Sequence, residues 1–208
     1  MAYRPTERTR ARAAAVRERV VAAALDQLAE GGYASASMVA VARRAGVATG
    51  SVYRHFPSKG DLFAEAFRRA SQREVDVLVG LGHRSMPVAE RLAAWVEAFV
   101  HRALAEPVRA YALIAEPVDP AVEAERLTFR RAYADLFARA LRDGMAAGEL
   151  PERDPELAAA AIVGALAEAL LGPLARRDAD AAELTAGLQS FVLSAVGTGS
   201  HAAEHAHA

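Results

Sequence analysis

The chain has 208 residues, of which 53% are hydrophobic, and its 25 basic and 26 acidic side chains leave a net charge of −1. It contains no cysteine, which excludes a disulfide framework, a thiolate zinc site and a cysteine nucleophile. Because the first 20 residues carry charges without the apolar stretch of a secretory signal, we expect a cytoplasmic protein.

The charges are unevenly distributed along the chain. Residues 1–60 carry ten basic and four acidic side chains, hence a net charge of +6, whereas the other 148 residues carry 15 basic and 22 acidic ones, hence −7. A basic head on an acidic body favours phosphate binding at one end of the molecule. The segment from Arg4 to Arg12 is expected to be a disordered arm, either a plain solvated tail or one that becomes ordered on DNA.

Three short helices are predicted in the first 60 residues. The first runs from about residue 12 to residue 30 and is ended by Gly31 and Gly32. Its apolar face consists of Val16, Val20, Ala24, Leu25 and Leu28. The second begins at Met38 and is broken at Gly46, which can adopt the left-handed backbone of a tight turn between helices. The third extends over about residues 48–56.

The third helix has the character of a DNA-reading element. Its first turn carries the small residues Thr49, Gly50 and Ser51, which would let its backbone approach base edges closely. Three larger side chains that could reach the groove walls follow, namely Tyr53, Arg54 and His55. Ser58 is predicted to cap a fourth helix, over about residues 58–79, with Asp61 as its capping-box partner. This helix is expected to connect the head to the body.

The segment 45–63, with its Tyr53-x-His55-Phe56-x-Ser58-Lys59 pattern, resembles the N-terminal domain of the TetR family of bacterial transcription regulators. The resemblance extends over about residues 16–67, a quarter of the chain. Ala36 and Val39 depart from the family pattern, which commonly has a threonine and a polar residue there, although Ser35 or Ser37 can still cap the second helix.

The resemblance implies an all-α fold of about nine helices. Residues 1–60 would form the arm and a three-helix helix-turn-helix domain, and residues 61–197 a larger helical domain for ligand binding and dimerisation. Residues 198–208 are expected to be a disordered tail, whose His201, His205 and His207 bind nothing specific.

The resemblance also implies that the third helix enters the major groove of double-stranded operator DNA. The candidates for base-edge contacts are Thr49, Gly50, Ser51 and Arg54. The candidates for phosphate contacts are Ser37, Tyr53, His55 and Lys59, the only lysine in the chain. For Tyr53 the alternative is packing against the first helix, and Phe56 is expected in the core.

The remaining periodic segments are also helical, over about residues 88–106, 120–145, 156–171 and 181–196, with a short segment at 107–115. The last two helices carry apolar stripes, Ile162, Leu166 and Leu170 on one and Leu184, Leu188, Phe191 and Ala195 on the other. The resemblance implies that these two helices pair with a second copy in a homodimer, and a purely intramolecular core is the alternative. Residues 157–174, interrupted by Glu168, are predicted to be a buried helix rather than a membrane span.

A ligand pocket in the body is the second site that the resemblance implies. Its aromatic candidates are Trp95, Phe99, Tyr111, Phe129 and Tyr133, and its polar candidates are His101, Arg102, Arg126 and Glu168. The alternatives are core packing for the aromatic residues and solvated faces for the charged ones. The ligand is expected to be a small apolar or amphiphilic molecule, and no cofactor or metal is expected.

Catalytic motifs are missing from the sequence. It contains no HExxH, GxSxG, P-loop or GxGxxG pattern, and Glu97 and His101 are best explained as neighbours on one helical face. We therefore predict a ligand-responsive repressor rather than an enzyme, one whose ligand tilts the fourth helix and separates the two heads. The alternatives are a DNA-binding protein without a ligand and a helical carrier or enzyme with a vestigial head.

Overall fold

The computed structural model describes residues 6–82, 86–176 and 179–197, and over these ranges the chain forms nine α-helices and no strand. The helices are α1 (Glu7–Ser35), α2 (Met38–Ala45), α3 (Thr49–His55), α4 (Lys59–Gly82), α5 (Val88–Ala105), α6 (Pro107–Ile114), α7 (Pro120–Ala146), α8 (Pro155–Arg176) and α9 (Ala181–Ala195). The predicted all-α fold is confirmed. Arg4 and the predicted tail with its three histidines lie outside the described residues.

Helix α1 is longer than the sequence pattern indicated. The hydroxyl of Thr6 accepts a hydrogen bond from the N–H of Thr9, and Glu7 lies in the first turn, where a carboxylate is favourable. Residues 7–12, predicted to be disordered, are therefore helical. At the other end, Gly32 interrupts the helix with a φ of +73°, but one further turn continues to Ser35.

The first hydrophobic core lies mainly in the head, between α1, α2, α3 and the start of α4, and it also includes Ala112 of α6 and Val122 of α7. Ser37 caps α2 by accepting from the N–H of Ala40, and Gly46 ends it with a φ of +65°, as predicted. Phe56 is buried, as expected. The capping box of α4 is also present, because the N–H of Asp61 donates to Ser58 Oγ and the N–H of Ser58 donates to Asp61 Oδ2, both at 3.1 Å.

Helix α4 belongs to both cores. Phe63 and Phe67 are buried in the head, whereas Leu78 is buried in the body. Near the head end of α4, the buried carboxylate of Glu65 pairs with Arg17 of α1 and with Arg68 and Arg69 of its own helix. This cluster holds α4 firmly against α1.

The second core lies in the body, between the end of α4, α5, α7, α8 and α9. Trp95 and Phe137 meet edge to face at its centre, with ring centroids 5.1 Å apart. The stripe predicted on α8 (Ile162, Leu166 and Leu170) is buried in this core. That stripe therefore packs within its own chain, where α8 lies mainly against α7 and α6, rather than against a second copy.

The outward faces of α8 and α9 are exposed and apolar. Helix α8 is long and apolar enough to cross a membrane by length and composition, with a mean hydropathy of 1.9, but it packs against α7 and α6. Only 28% of its most apolar stretch is buried, so the prediction of a buried helix is right for one face. Leu157 of α8 is 69% exposed and Phe191 of α9 is 51% exposed, and Ala195 is also exposed.

Candidate functional site

The outward surface of α3 is open and basic. Only Val52 of this helix is buried, and a side chain added at Gly50 would meet no atom within 4 Å. Nη2 of Arg54 donates to Ser51 Oγ at 2.8 Å, which holds the guanidinium over the preceding turn of the helix. Because a guanidinium has five N–H donors, Arg54 retains donors for another acceptor.

The phosphate candidates are arranged around this helix. Tyr53 is 49% exposed, so about half of its surface is open to solvent. Ser37 is exposed, although its hydroxyl already caps α2. Nζ of Lys59 donates to the carbonyl of Tyr33 at 2.8 Å and lies 4.1 Å from the centre of the Tyr33 ring. The half-buried Lys59 is thus fixed at the base of the head, with two N–H donors left.

Free positive charge is available on the same part of the head. Arg43 of α2 is exposed and, like Arg54, has no carboxylate partner among the described residues. The neighbouring Arg44, by contrast, is neutralised by Glu30 at 2.6 Å. The surface around α3 therefore carries uncompensated guanidinium groups, which suits a polyanion.

Head and body meet at Tyr33, a contact that the sequence did not indicate. The N–H groups of Tyr33 and Ala34 donate to the two carboxylate oxygens of Glu116 at 2.7 and 2.8 Å. The Tyr33 hydroxyl donates to Asp119 Oδ2, and burial together with this hydrogen bond raises the pKa of Tyr33 above its usual range. A side chain at Gly32 would come within 2.7 Å of Glu116 Oε2, so glycine is required there for space as well as for its positive φ.

A cavity lies in the body, between α4, α5, α6, α7 and α8. Its volume is about 100 Å³. Of the residues predicted to form a pocket, it is lined by Trp95, Phe99, Arg102, Arg126, Phe129 and Tyr133. The structure therefore brings together four of the five predicted aromatic residues on apolar walls.

Three of the predicted pocket residues do not line this cavity. Tyr111 is 37% exposed, because the cavity face of α6 is formed by Ala110, Leu113 and Ile114 and Tyr111 lies outside that stripe. His101 and Glu168 are exposed on the outer sides of their helices. The helical period showed which residues share a face, but the packing partners decided which face encloses space.

Most charged groups around the cavity are already paired. Arg102 donates to Glu74, with 2.9 Å between Nη2 and Oε1, and Arg109 pairs with Glu106. The hydroxyl of Tyr133, in contrast, has no hydrogen-bond partner within the described part of the chain. Burial raises the pKa of Tyr133, which keeps the hydroxyl a neutral donor facing the cavity.

Arg126 connects the cavity to the end of α6. Its guanidinium donates to the carbonyls of Leu113, Ala112 and Glu116 at 3.0, 3.1 and 2.6 Å. Glu116 is in turn the residue whose carboxylate holds Tyr33 of the head. A continuous set of hydrogen bonds therefore connects a cavity residue with α1 and, through the Tyr33 carbonyl, with Lys59 at the start of α4.

No group of three or more histidine, aspartate or glutamate side chains that could hold a metal ion occurs within residues 6–82, 86–176 and 179–197.

Two family models match the chain and together cover more than half of it. Residues 20–66 match the model described as bacterial regulatory proteins, tetR family. Residues 85–170 match the model described as tetracyclin repressor-like, C-terminal domain.

Curated relatives match about a quarter of the chain. The HTH-type transcriptional repressor KstR of Rhodococcus jostii is 46% identical over 57 residues, which are 27% of this chain and 27% of that protein. KstR of Mycolicibacterium smegmatis is also 46% identical over 57 residues, which are 28% of its length. The chain thus aligns with about a quarter of the length of these relatives.

Solved structures match nearly the whole fold. The fatty acid degradation regulator FadR from Bacillus halodurans superposes with a TM-score of 0.75 at 24% identity, over 85% of this chain and 94% of that one. The regulator FadR from Bacillus subtilis, solved in complex with stearoyl-CoA, gives a TM-score of 0.74 at 20% identity over 87% and 98%. These similarities establish the same fold.

Proposed function

The chain belongs to the TetR family of bacterial regulatory proteins, and we propose that it is a repressor that binds a pseudo-palindromic operator as a homodimer. A small ligand in the body would release the DNA. The observation that carries the proposal is the exposed face of α3, where Gly50 leaves the backbone open and Arg54 has no carboxylate partner among the described residues.

In this proposal α3 enters the major groove. Thr49, Gly50 and Ser51 bring the helix close to the base edges, and Arg54 reads a guanine through two parallel N–H donors. The phosphates on either side are contacted by Ser37, Tyr53, His55 and Lys59. Phosphate contacts provide affinity and base contacts provide sequence preference.

A homodimer would supply the two heads that such an operator requires. Each head reads one half-site, and half-sites lie one helical turn, about 34–36 Å, or a multiple of it apart. The outward faces of α8 and α9 support this pairing, since they combine exposed small residues with the large apolar side chains of Leu157 and Phe191. Small residues allow close approach of helices, and the two large ones provide apolar area to bury.

Release would begin in the cavity and reach the head through α6. A ligand that widens the cavity must move Arg126 or the end of α6, which Arg126 holds by three carbonyls. Glu116 lies two residues after the end of α6, so the shift is transmitted to Tyr33 and then to α4. If the ligand binds only the shifted conformation, it lowers the population of the conformation that binds DNA. The apolar walls favour an apolar or amphiphilic ligand, and the similarly folded Bacillus subtilis regulator in complex with stearoyl-CoA supports an acyl chain.

The test is a fluorescence-anisotropy titration on DNA from upstream of the gene, at several salt concentrations and with scrambled competitor DNA. A specific regulator binds the fragment tightly, resists the competitor and loses affinity steeply with salt. Equal affinity for the scrambled DNA would contradict the proposal, because a basic head alone would explain it.

A second candidate function is DNA binding without a ligand. It is favoured by the size of the cavity, about 100 Å³, which is smaller than the roughly 300–1,000 Å³ of typical ligand pockets. The two functions differ in one measurement: a ligand-independent repressor stays on its operator at every concentration of an acyl-chain probe.

A further inference from the structure

An open groove on the outside of the body adjoins the cavity. It lies between α7 and α8, has a volume of about 590 Å³, and is called the outer groove here. The residues that line it include Leu127, Arg131, Ala160, Gly164 and Glu168. Five further residues line both the outer groove and the cavity, namely Ile114, Arg126, Arg130, Val163 and Ala167. The outer groove and the cavity therefore share part of their wall.

The charges of the outer groove differ from those of the cavity. Arg130 and Arg131 are exposed, and neither has a carboxylate partner within the described part of the chain. The other arginines at the cavity are each paired, Arg126 for instance with Glu123. Glu168 is the one acidic residue that lines the outer groove. Uncompensated positive charge thus lies directly outside an apolar cavity.

We propose that the effector is an anionic amphiphile, whose apolar chain fills the cavity and whose anionic group binds Arg130 and Arg131 in the outer groove. This rests on the proposed function, of which it names the ligand class. The anion is a carboxylate or a phosphate, since guanidinium groups bind both in the same two-pronged way. The chain passes through the shared wall between Ile114 and Val163.

This placement also connects ligand binding to the release of DNA. Nη2 of Arg130 donates to the carbonyl of Ile114, the last residue of α6, at 3.3 Å. An anion on Arg130 competes with that carbonyl, because a charged acceptor binds a guanidinium more strongly than a neutral one. The end of α6 is loosened while the chain displaces Ile114 from the wall. Both changes occur two residues before Glu116, which holds the head.

The single tryptophan of the chain provides the assay. Trp95 lines the cavity, so energy transfer from Trp95 to a conjugated polyene chain reports that the chain has entered it. The probes are cis-parinarate, its coenzyme A thioester and the neutral cis-parinaryl alcohol. We expect both anionic probes to bind the wild-type protein more tightly than the alcohol, with energy transfer from Trp95 for all three.

The decisive variant is the double substitution Arg130→Gln and Arg131→Gln. It should lower the affinity for both anionic probes by about tenfold, as expected for the loss of two exposed ion pairs, and leave the affinity for the alcohol unchanged. Arg130→Lys with Arg131→Lys should restore much of the affinity, which separates charge from folding. Arg139→Gln is the matched control, because Arg139 is exposed on the same helix and lines neither space. A larger loss for the thioester than for the acid would assign the anion to the phosphates, a larger loss for the acid would assign it to the carboxylate, and equal losses would mean that the two arginines bind either anion.

Several results would overturn the inference. Equal binding of acid and alcohol, unchanged affinity in the double glutamine variant, or binding without energy transfer would each place the anion or the chain elsewhere. Dissociation of the dimer in that variant, with probe binding intact, would assign the outer groove to a second copy. Failure of the proposed function is distinguished by DNA binding, because the wild-type protein would then not bind its upstream DNA even in the absence of a probe.

Discussion

The contact between Glu116 and α1 leads to the sharpest prediction, the effect of Glu116→Ala. One carboxylate accepts hydrogen bonds from two consecutive backbone N–H groups, those of Tyr33 and Ala34, at 2.7 and 2.8 Å. Removing it leaves both N–H groups without their acceptor. It also removes a direct connection between the loop after α6 and the head, while α3 keeps its own contacts.

The size of the effect follows from these two hydrogen bonds. Hydrogen bonds to charged groups contribute roughly 1.5–3 kcal/mol when buried, but one of the two is exposed, so we expect a loss of about 2 kcal/mol in total. For a chain of this size about 1 kcal/mol lowers Tm by roughly 2–4 °C, so Tm should fall by about 4–8 °C. Glu116→Gln should have a smaller effect, because an amide oxygen still accepts one of the two hydrogen bonds.

Two assays on the same protein separate stability from signalling. Thermal unfolding followed by circular dichroism gives Tm, and operator anisotropy with and without cis-parinarate gives the release. Glu116→Ala should bind the operator with little loss, yet require more probe for release. Glu97→Ala is the control, since Glu97 is exposed and is in no hydrogen bond or ion pair of the described chain. A Tm and a release curve that both match the wild type would refute the role of this contact.

Five further substitutions test other parts of the structure. Arg54→Ala should alter the base preference at one operator position. Lys59→Ala should weaken binding to all DNA sequences alike and reduce the slope of log affinity against log salt concentration by about 1. Titrations of operator variants at several salt concentrations measure both effects. Phe191→Asp should yield monomers in analytical ultracentrifugation if α8 and α9 pair as proposed, because the substitution then buries a charge between the two copies. A dimer that stays intact would contradict that interface. Burial raises the pKa of Tyr133, so only the unfolded chain loses this proton as the pH rises above 10. The free energy of unfolding should therefore be unaffected below pH 10 and decline above it by up to about 1.4 kcal/mol per pH unit. Tyr133→Phe should reduce the corresponding fall in Tm between pH 8 and 11. Thr185→Val should leave Tm unchanged or raise it, since the hydroxyl is buried without a hydrogen-bond partner in the described chain; a marked fall would reveal a missed partner.

The head could be predicted almost completely because its signals are local. Gly46 breaks α2 at the predicted turn, Ser58 and Asp61 cap α4 as their spacing indicates, and Phe56 is buried. Each of these depends on residues within a few positions of one another. The exception is the arm, where the start of α1 was not predicted. Thr6 caps this helix, but its first turns have no apolar face by which the sequence could indicate them.

The body could be predicted less well because its decisive contacts join distant parts of the chain. The helical period identified Trp95 and Tyr133 as members of apolar faces, but it also selected Tyr111, which the packing of α6 leaves outside the cavity. The family resemblance favoured a dimer interface for Ile162 over an intramolecular core, and the structure buries that residue in the core of its own chain.

The sequence by itself determined the all-helical fold and the family to which the chain belongs. Only the tertiary structure decided that Glu116 holds Tyr33, 83 positions earlier in the chain, and that Arg126 joins the same loop to the cavity. The physical reason is that the spacing of apolar residues in the sequence indicates only which face of a helix is buried. What that side packs against, and which backbone N–H groups a distant carboxylate can reach, depends on how the helices are assembled.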